Sequence, residues 1–401
     1  MKYKFYIFII IFIFSFMFLF NFDLHKNISN DFHHIAIVEK TYNSSILVEE
    51  NDEEYYLMGI EDDPYIKGDI IEYDTYYYEY NNSNSNQKNT FDIFYKSTKA
   101  SAYGYPKNIN IIKSQKNIRS NLYHNVYNSQ GWYRDFSLIM LYGKTDENNQ
   151  FIKEKIYEIG IPHLFIISGF HITIIYFIMS WFLSKIIRNI SKIKFLSMIV
   201  SLFFLFLVYF PLTGVRSFLT LIISNYSNLN KIESLSLVGI IFLIFNPWMM
   251  FTSSMILSFS ITFMIYFYQP KNNSFIDKVL IAIFAFYISL PTISTWENSH
   301  NIFAPFLSII LTPIISFIYI ISIFALPFSF LWSILDVLFY FLWLIIFILS
   351  FLYLPMELCL IGFYEQIFLI LISILFIYQF KEYKWFLLNN FFWISILLFL
   401  I

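Results

Sequence analysis

The second half of the chain is dominated by long apolar runs separated by short polar pieces. A transmembrane helix needs about 20 apolar residues, and several runs approach or exceed that length. The runs cover residues 5–22, 164–184, 195–212, 215–228, 234–246, 248–268, 279–295, 302–325, 329–353, 366–380 and 385–401. The pattern predicts a polytopic α-helical membrane protein with about 9–11 transmembrane segments, most of them in a domain over residues 161–401.

The N-terminal run predicts a membrane anchor over residues 1–24. Lys2 and Lys4 precede it, and no small-residue cleavage site follows it. We therefore expect an uncleaved helix with a cytoplasmic N-terminus. A cleaved signal peptide is the alternative.

Residues 25–118 show short β-prone runs rather than long apolar ones. Runs at 35–38, 45–49, 55–60, 69–80 and 91–95 alternate with turn-prone segments. Five short strands in this length predict a small barrel resembling the OB fold. Residues 119–160 then predict an amphipathic, interfacial helical connection.

Composition excludes a single water-soluble domain. The chain is 58% apolar and only 13% charged, against about 25% charged in soluble domains. Residues 1–160 hold 37 of the 54 charged residues. The single Cys359 excludes an intrachain disulfide, and we expect no metal or cofactor.

Loop charges predict the orientation in the cytoplasmic (inner) membrane. The most basic loop carries Lys185, Arg188, Lys192 and Lys194, which favours a cytoplasmic position. Counting crossings from this loop places residues 25–160 outside the cytoplasm.

One segment resembles a family signature. Residues 160–172 read GIPHLFIISGFHI, which is similar to the Gly-x-x-His-Leu-x-x-x-Ser-Gly-x-His pattern of the ComEC competence-channel family. Weaker similarities follow at Thr213-Gly214-Val-Arg216 and at Asn246-Pro247 with Leu257-Ser258-Phe259. Ile256 and Ser308 stand where the family has Gln and often Asn. No His-x-His-x-Asp element occurs, so the resemblance is to the form lacking a C-terminal metallo-β-lactamase-like nuclease domain.

The resemblance implies transport of single-stranded transforming DNA across the membrane during natural competence. No Walker A loop occurs, which excludes ATP hydrolysis by that route. With neither an ATPase motif nor a nuclease domain, we expect no enzymatic activity in this chain. The implied partners are single-stranded DNA, membrane lipids and a separate DNA receptor, nuclease and cytoplasmic motor, with a homo-oligomer as a further option. A small-molecule or lipid-linked-substrate transporter is the rival function.

Polar residues within apolar runs are the candidate pathway residues, because such groups usually face a cavity or a partner. They are His163, Ser168, Gly169, His171, Thr213, Gly214, Arg216, Asn246 and Ser258. Helical spacing predicts that His163, Ser168 and His171 share one helix face. Alternatives are a structural hydrogen-bond network and, less favoured, an intramembrane hydrolase using Ser168 and His171.

Two further sets leave alternatives open. Arg216 is either a phosphate-binding step or a residue that reaches the interface or pairs with Asp336 or Glu297. In the exported domain, Lys96, Lys99 and Tyr103 are candidates for contacts with single-stranded DNA, although the composition favours an ordinary solvated face on a tyrosine-rich protein.

Overall fold

The computed structural model describes residues 32–42, 45–51, 53–60, 65–78, 95, 97–98, 100–165, 168–268, 275–295, 299–358, 361–362 and 365–370. The predicted anchor 1–24 and the predicted run 385–401 lie outside these residues, as does most of the run 366–380.

Seven strands near the N-terminus form one sheet. They are β1 (His33–Thr41), β2 (Ser45–Glu50), β3 (Glu53–Met58), β4 (Ile70–Asp74), β5 (Tyr77–Tyr78), β6 (Ala102–Gly104) and β7 (Lys107–Lys113). Their order is β5-β6-β3-β2-β1-β4-β7. All neighbours are antiparallel except the parallel pair β3–β6.

The sheet curls into a half-barrel because β4 and β5 join distant parts of it. Only two residues, Thr75 and Tyr76, separate these strands, yet β4 pairs with β1 while β5 pairs with β6. The alternation of β1 turns Ala36 and Val38 inward. We refer to β1–β7 as the β half-barrel.

The interior of the β half-barrel mixes apolar and phenolic side chains. Val38, Val48 and Leu57 are fully buried in it. Burial raises the pKa of Tyr73 and of Tyr77, so both phenols stay protonated. Their hydroxyl oxygens lie 2.5 Å apart and share a hydrogen bond.

Two strand predictions differ from the structure. The run 69–80 is two strands rather than one, because the chain bends at Thr75 and Tyr76. The predicted strand 91–95 is wrong at Tyr95, which is helical, and its other residues lie outside the described ranges. β6 and β7 take its place. β6 is three residues long and β7 is largely solvent-exposed, so neither has a clear alternating pattern.

The chain beyond residue 118 is mainly helical. The helices are α1 (Ile118–Tyr127), α2 (Trp132–Ser137), α3 (Gln150–Glu158), α4 (Pro162–Phe165), α5 (Gly169–Ser184), α6 (Ile190–Leu207), α7 (Leu212–Tyr226), α8 (Lys231–Phe245), α9 (Pro247–Met250), α10 (Ser253–Tyr268), α11 (Phe275–Ile293), α12 (Ala304–Ala325) and α13 (Trp332–Ser350). A π-helical turn, Leu138–Tyr142, follows α2, and strands β8 (Ser299–Asn301) and β9 (Pro355–Glu357) pair antiparallel.

Three stretches of the described chain are long and apolar enough to cross a membrane. They are Ile190–Leu207, Ala304–Ala325 and Ser329–Ser350, and their mean hydropathies are 2.0, 2.4 and 2.3. Gly169–Ser184, Ser253–Tyr266 and Val279–Ile293 are shorter apolar helices. The protein is therefore a largely helical membrane protein with a β half-barrel near its N-terminus.

Asp336 links α13 to the segment that follows α1. Its Oδ1 accepts a hydrogen bond of 2.9 Å from the backbone N–H of Tyr133, in the first turn of α2. Gly131 precedes α2 with a φ of +83°, and a Cβ there would lie 2.5 Å from Asp336 Oδ1. Trp132 also stacks on Trp343, with ring centroids 5.5 Å apart. Asp336 is thus a cap supplied to α2 from another helix, which gives this carboxylate a partner within the apolar run of α13.

Candidate polar site among the helices

Three of the sequence-predicted residues line one cavity. The cavity has a volume of about 220 Å³ and includes the side chains of His163, Ser168 and His171. The remaining lining residues are Leu164, Phe170, Ser308, Thr312, Ile315 and Ser316. We refer to this space as the polar cavity.

The residues of the motif do not share one helix face as predicted. α4 ends at Phe165 and α5 begins at Gly169, so His163 and His171 belong to different helices. Ser168 is the N-cap of α5, with φ −118° and ψ 167°. A cap residue leaves helical geometry because it must satisfy the free N–H groups of the first turn, so a continuous helical wheel does not apply here.

The contact between Ser168 and His171 is a reciprocal capping box. The backbone N–H of Ser168 donates to Nδ1 of His171 at 3.1 Å, and Ser168 Oγ lies 3.2 Å from the same nitrogen. Because Nδ1 accepts, the imidazole proton is on Nε2. The ring is 3% exposed and stacks on Tyr319 with centroids 4.0 Å apart.

The opposite wall of the polar cavity is a stripe of hydroxyl groups on α12. Ser308, Thr312 and Ser316 each donate their proton to a carbonyl oxygen of the preceding turn. Their oxygens therefore keep lone pairs as acceptors. Thr312 and Ser316 were not among the predicted site residues, although the steps of four residues from Ser308 to Thr312 and from Thr312 to Ser316 are a signal that a helix would align the three side chains.

Gly169 permits close contact between α5 and α7. A Cβ at Gly169 would lie 1.8 Å from Ser217 Oγ and 3.1 Å from Arg216 Nη2. Gly214 has the same role against α6, since a Cβ there would lie 2.9 Å from Leu205 Cδ2. Both predicted glycines therefore sit where helices touch.

Arg216 is buried between α7 and α10 and is 5% exposed. Its Nε donates to Ser258 Oγ and its Nη2 donates to Ser217 Oγ, both at 2.8 Å. Among the described residues no carboxylate pairs with it, and Asp336 caps α2 instead. Glu297, the other predicted partner, lies outside the described ranges. Arg216 is therefore an enclosed charge held by hydroxyl groups, and it does not extend to the interface.

Asn246 and Thr213 do not line the polar cavity. Asn246 Oδ1 accepts from the Trp248 N–H and caps α9, while its Nδ2 donates to the Ser97 carbonyl oxygen at 3.0 Å. Asn246 thus connects the helices to the residues that precede β6. Thr213 is half-buried in the first turn of α7.

Tyr103 belongs to a row of tyrosines on the β half-barrel. Its ring centroid lies 5.8 Å from that of Tyr78 and 6.1 Å from that of Tyr105, and these two neighbours are 50% and 57% exposed. We call Tyr78, Tyr103 and Tyr105 the tyrosine row. Lys96 and Lys99 lie outside the described residues. No His, Cys, Asp or Glu cluster in the described ranges is arranged to hold a metal ion.

Comparison with known proteins identifies the family. The model of the Competence protein family matches residues 140–385, more than half of the chain and all of the polar cavity and Arg216. The chain belongs to this family. Its β half-barrel precedes the matched region, whereas every residue of the cavity and both glycine contacts lie within it.

Two further comparisons were made, one with curated proteins and one with solved structures. The chain is 26% identical over 198 residues to the uncharacterized protein MG316 of Mycoplasma genitalium, covering 48% of this chain and 52% of that protein. The chain thus spans about half the length of the curated relative it matches. No solved structure is significantly similar to it.

Proposed function

We propose that this protein carries single-stranded DNA across the cytoplasmic membrane during competence. The main structural support for this proposal is Arg216. It is a buried guanidinium in the competence-family region, and it has no carboxylate partner among the described residues. The membership of the Competence family directs the proposal to DNA. The positive charge of Arg216 suggests which group of the DNA it would bind, namely the phosphate.

A buried charge without a counter-ion is costly, so its retention suggests an anionic ligand that passes or binds. Ser217 and Ser258 hold Nη2 and Nε and fix the plane of the guanidinium. A guanidinium of fixed orientation suits a phosphodiester, because it offers directed, charge-assisted hydrogen bonds. We propose that Arg216 contacts the phosphates of the moving strand.

The polar cavity supplies the second part of the proposed path. Its wall includes hydroxyl groups from α12, whose oxygens can accept hydrogen bonds, and the imidazoles of His163 and His171. Neutral groups of both kinds can replace water around a passing base without binding one base strongly. Weak, repeated contacts favour movement over retention.

We further propose that the β half-barrel is an OB-type domain that receives the strand. The meander β1–β2–β3 and the return of the chain to β3 through β6 are compatible with a partly open five-stranded barrel. Exposed tyrosines next to a groove stack on bases with little sequence preference. In this arrangement the tyrosine row is the first contact, and Lys96 and Lys99 would supply phosphate contacts beside it.

The double change Tyr78→Ala and Tyr105→Ala should weaken binding of a fluorescent single-stranded oligonucleotide by tenfold or more. The reason is that each stacked base contributes about 1–3 kcal/mol. Fluorescence anisotropy of the full-length protein in detergent measures this. Tyr76→Ala is the matched control, since Tyr76 is 58% exposed but contacts Phe32 instead of the row. Unchanged affinity in the double variant, or an equal loss in the control, would argue against this surface.

Orientation and partners complete the proposal. The N-terminus lies in the cytoplasm, residues 25–160 lie outside it, and the chain catalyses no reaction of its own. In this proposal a separate receptor binds the DNA, a nuclease removes the second strand, and a cytoplasmic motor supplies the force. The chain itself either acts alone or forms a homo-oligomer. A hydrolase using Ser168 is less favoured, because His171 Nδ1 already accepts the Ser168 N–H and no carboxylate contacts the ring within the described ranges.

The function is tested by following labelled double-stranded DNA in a strain lacking the gene. We expect label to remain bound outside while the DNase-resistant cytosolic pool disappears, and we expect the wild-type gene to restore that pool. Unchanged cytosolic entry in the deletion strain would mean that DNA is not the cargo and would favour the solute-transporter alternative.

A further inference from the structure

The turn between α5 and α6 concentrates positive charge. Lys185, Arg188, Lys192 and Lys194 lie within ten residues of one another, and no Asp or Glu occurs from residue 159 to residue 232. All four side chains are partly or largely exposed. None of the four forms an ion pair with any carboxylate of the described ranges.

Large apolar side chains are interleaved with these cations. Trp181, Ile186, Ile190 and Phe195 are 64%, 69%, 70% and 59% exposed. Lys185 Nζ lies 5.4 Å from the centroid of the Trp181 ring. An indole at the end of a membrane helix with a lysine over it is typical of the membrane–water boundary.

We propose that this turn, residues 181–195, binds the phosphate groups of anionic phospholipids. The acyl chains near the headgroups cover Trp181 and the two isoleucines, while the lipid phosphates neutralise the cations. Each Lys or Arg near an anionic leaflet contributes about 1 kcal/mol. A nucleic acid strand would neutralise the cations equally well but would leave Ile186 and Ile190 in water, so the apolar residues favour lipid.

The test uses the full-length protein in vesicles of neutral phosphatidylcholine with added phosphatidylglycerol. Either lipid is supplied with brominated acyl chains, which quench nearby tryptophan fluorescence. The Trp181 signal is the difference between the wild type and Trp181→Phe. We expect brominated phosphatidylglycerol to quench this signal more than brominated phosphatidylcholine at equal mole fraction.

The charge variant changes Lys185, Arg188, Lys192 and Lys194 to Gln. We expect it to lose the preference, and each single change to lower it by about fivefold or less. The matched control changes Lys107 and Lys113 of β7, together with Lys116 just after β7, to Gln. We expect this control to retain the preference. Raising the salt concentration to 0.5 M on the wild type gives the same test without a substitution, since salt screens exposed charges.

Three results would overturn the proposal. The first is equal quenching by both lipids in the wild type. The second is a preference that survives both the charge variant and 0.5 M salt. The third is displacement of the brominated anionic lipid by a single-stranded oligonucleotide, which would assign the turn to DNA. Because lipid binding is measured without DNA uptake, failure here leaves the transport proposal to be judged separately.

Discussion

Replacing Arg216 by Ala should reduce cytosolic entry of labelled DNA by roughly ten- to a hundredfold. A hydrogen bond to a charged group is worth about 1.5–3 kcal/mol, and the guanidinium lies beside Gly169 in the first turn of α5. Removing a buried charge that lacks a carboxylate partner should leave the fold intact, since its partners Ser217 and Ser258 are hydroxyl groups.

Two companion variants separate charge from geometry. Arg216→Lys keeps the charge but loses the planar fork, so uptake should fall between the wild type and Arg216→Ala. Ser258→Ala removes the acceptor that orients Nε and should reduce uptake less than Arg216→Ala. Protein abundance and thermal unfolding in detergent serve as controls. Normal uptake by folded Arg216→Ala protein would remove Arg216 from the path.

Among substitutions that add one methyl group near the polar cavity, Gly169→Ala should lower stability and uptake the most. The new Cβ would lie 1.8 Å from Ser217 Oγ and 2.8 Å from Ser217 Cβ, so α5 and α7 must separate. Overpacking of this kind costs about 1–3 kcal/mol and sometimes more. We expect a lower temperature of thermal unfolding in detergent and loss of uptake.

A second substitution tests the cause. Ser217→Gly removes both atoms that the methyl group added by Gly169→Ala would strike, so the double variant should unfold at a higher temperature than Gly169→Ala alone. Ser217→Gly by itself is the control for the lost hydrogen bond to Arg216. If Gly169→Ala unfolds like the wild type, or if the double variant shows no recovery, the close approach of these helices is not what the glycine provides.

The sequence predicted the helix positions well because long apolar runs are a strong local signal, although only three stretches of the described chain are long and apolar enough to cross a membrane. Eight of the apolar runs, from 164–184 to 329–353, coincide with helices α5–α8 and α10–α13. A small OB-like barrel was predicted from short β-prone runs separated by turns; the structure has a β half-barrel in that region, and its last strands were misplaced in the prediction. β6 is held by pairing with β3, which is distant in sequence, so local preference could not reveal it.

The sequence predicted several residues of the polar site but not how they are arranged. The motif identified His163, Ser168 and His171, and the cavity does contain them. The break at Ser168 was hidden because its capping box uses side-chain contacts to His171 that helical periodicity does not describe. The contact of Arg216 with Ser258 joins residues 42 positions apart, which no local pattern encodes, and neither does any local pattern show that the hydroxyl stripe on α12 faces His163 and His171.

Photocrosslinking during uptake tests most directly whether DNA passes the polar cavity. Benzoylphenylalanine would replace Phe170, which lines the cavity and is 46% exposed. Phe203 on α6 is the matched control, since it is 54% exposed and outside the cavity lining. Cells that take up labelled DNA are illuminated and the purified protein is assayed for covalently attached label. We predict label on the Phe170 variant and little on the Phe203 variant; active uptake with no label at Phe170, or with equal label at both positions, would contradict a path through this cavity.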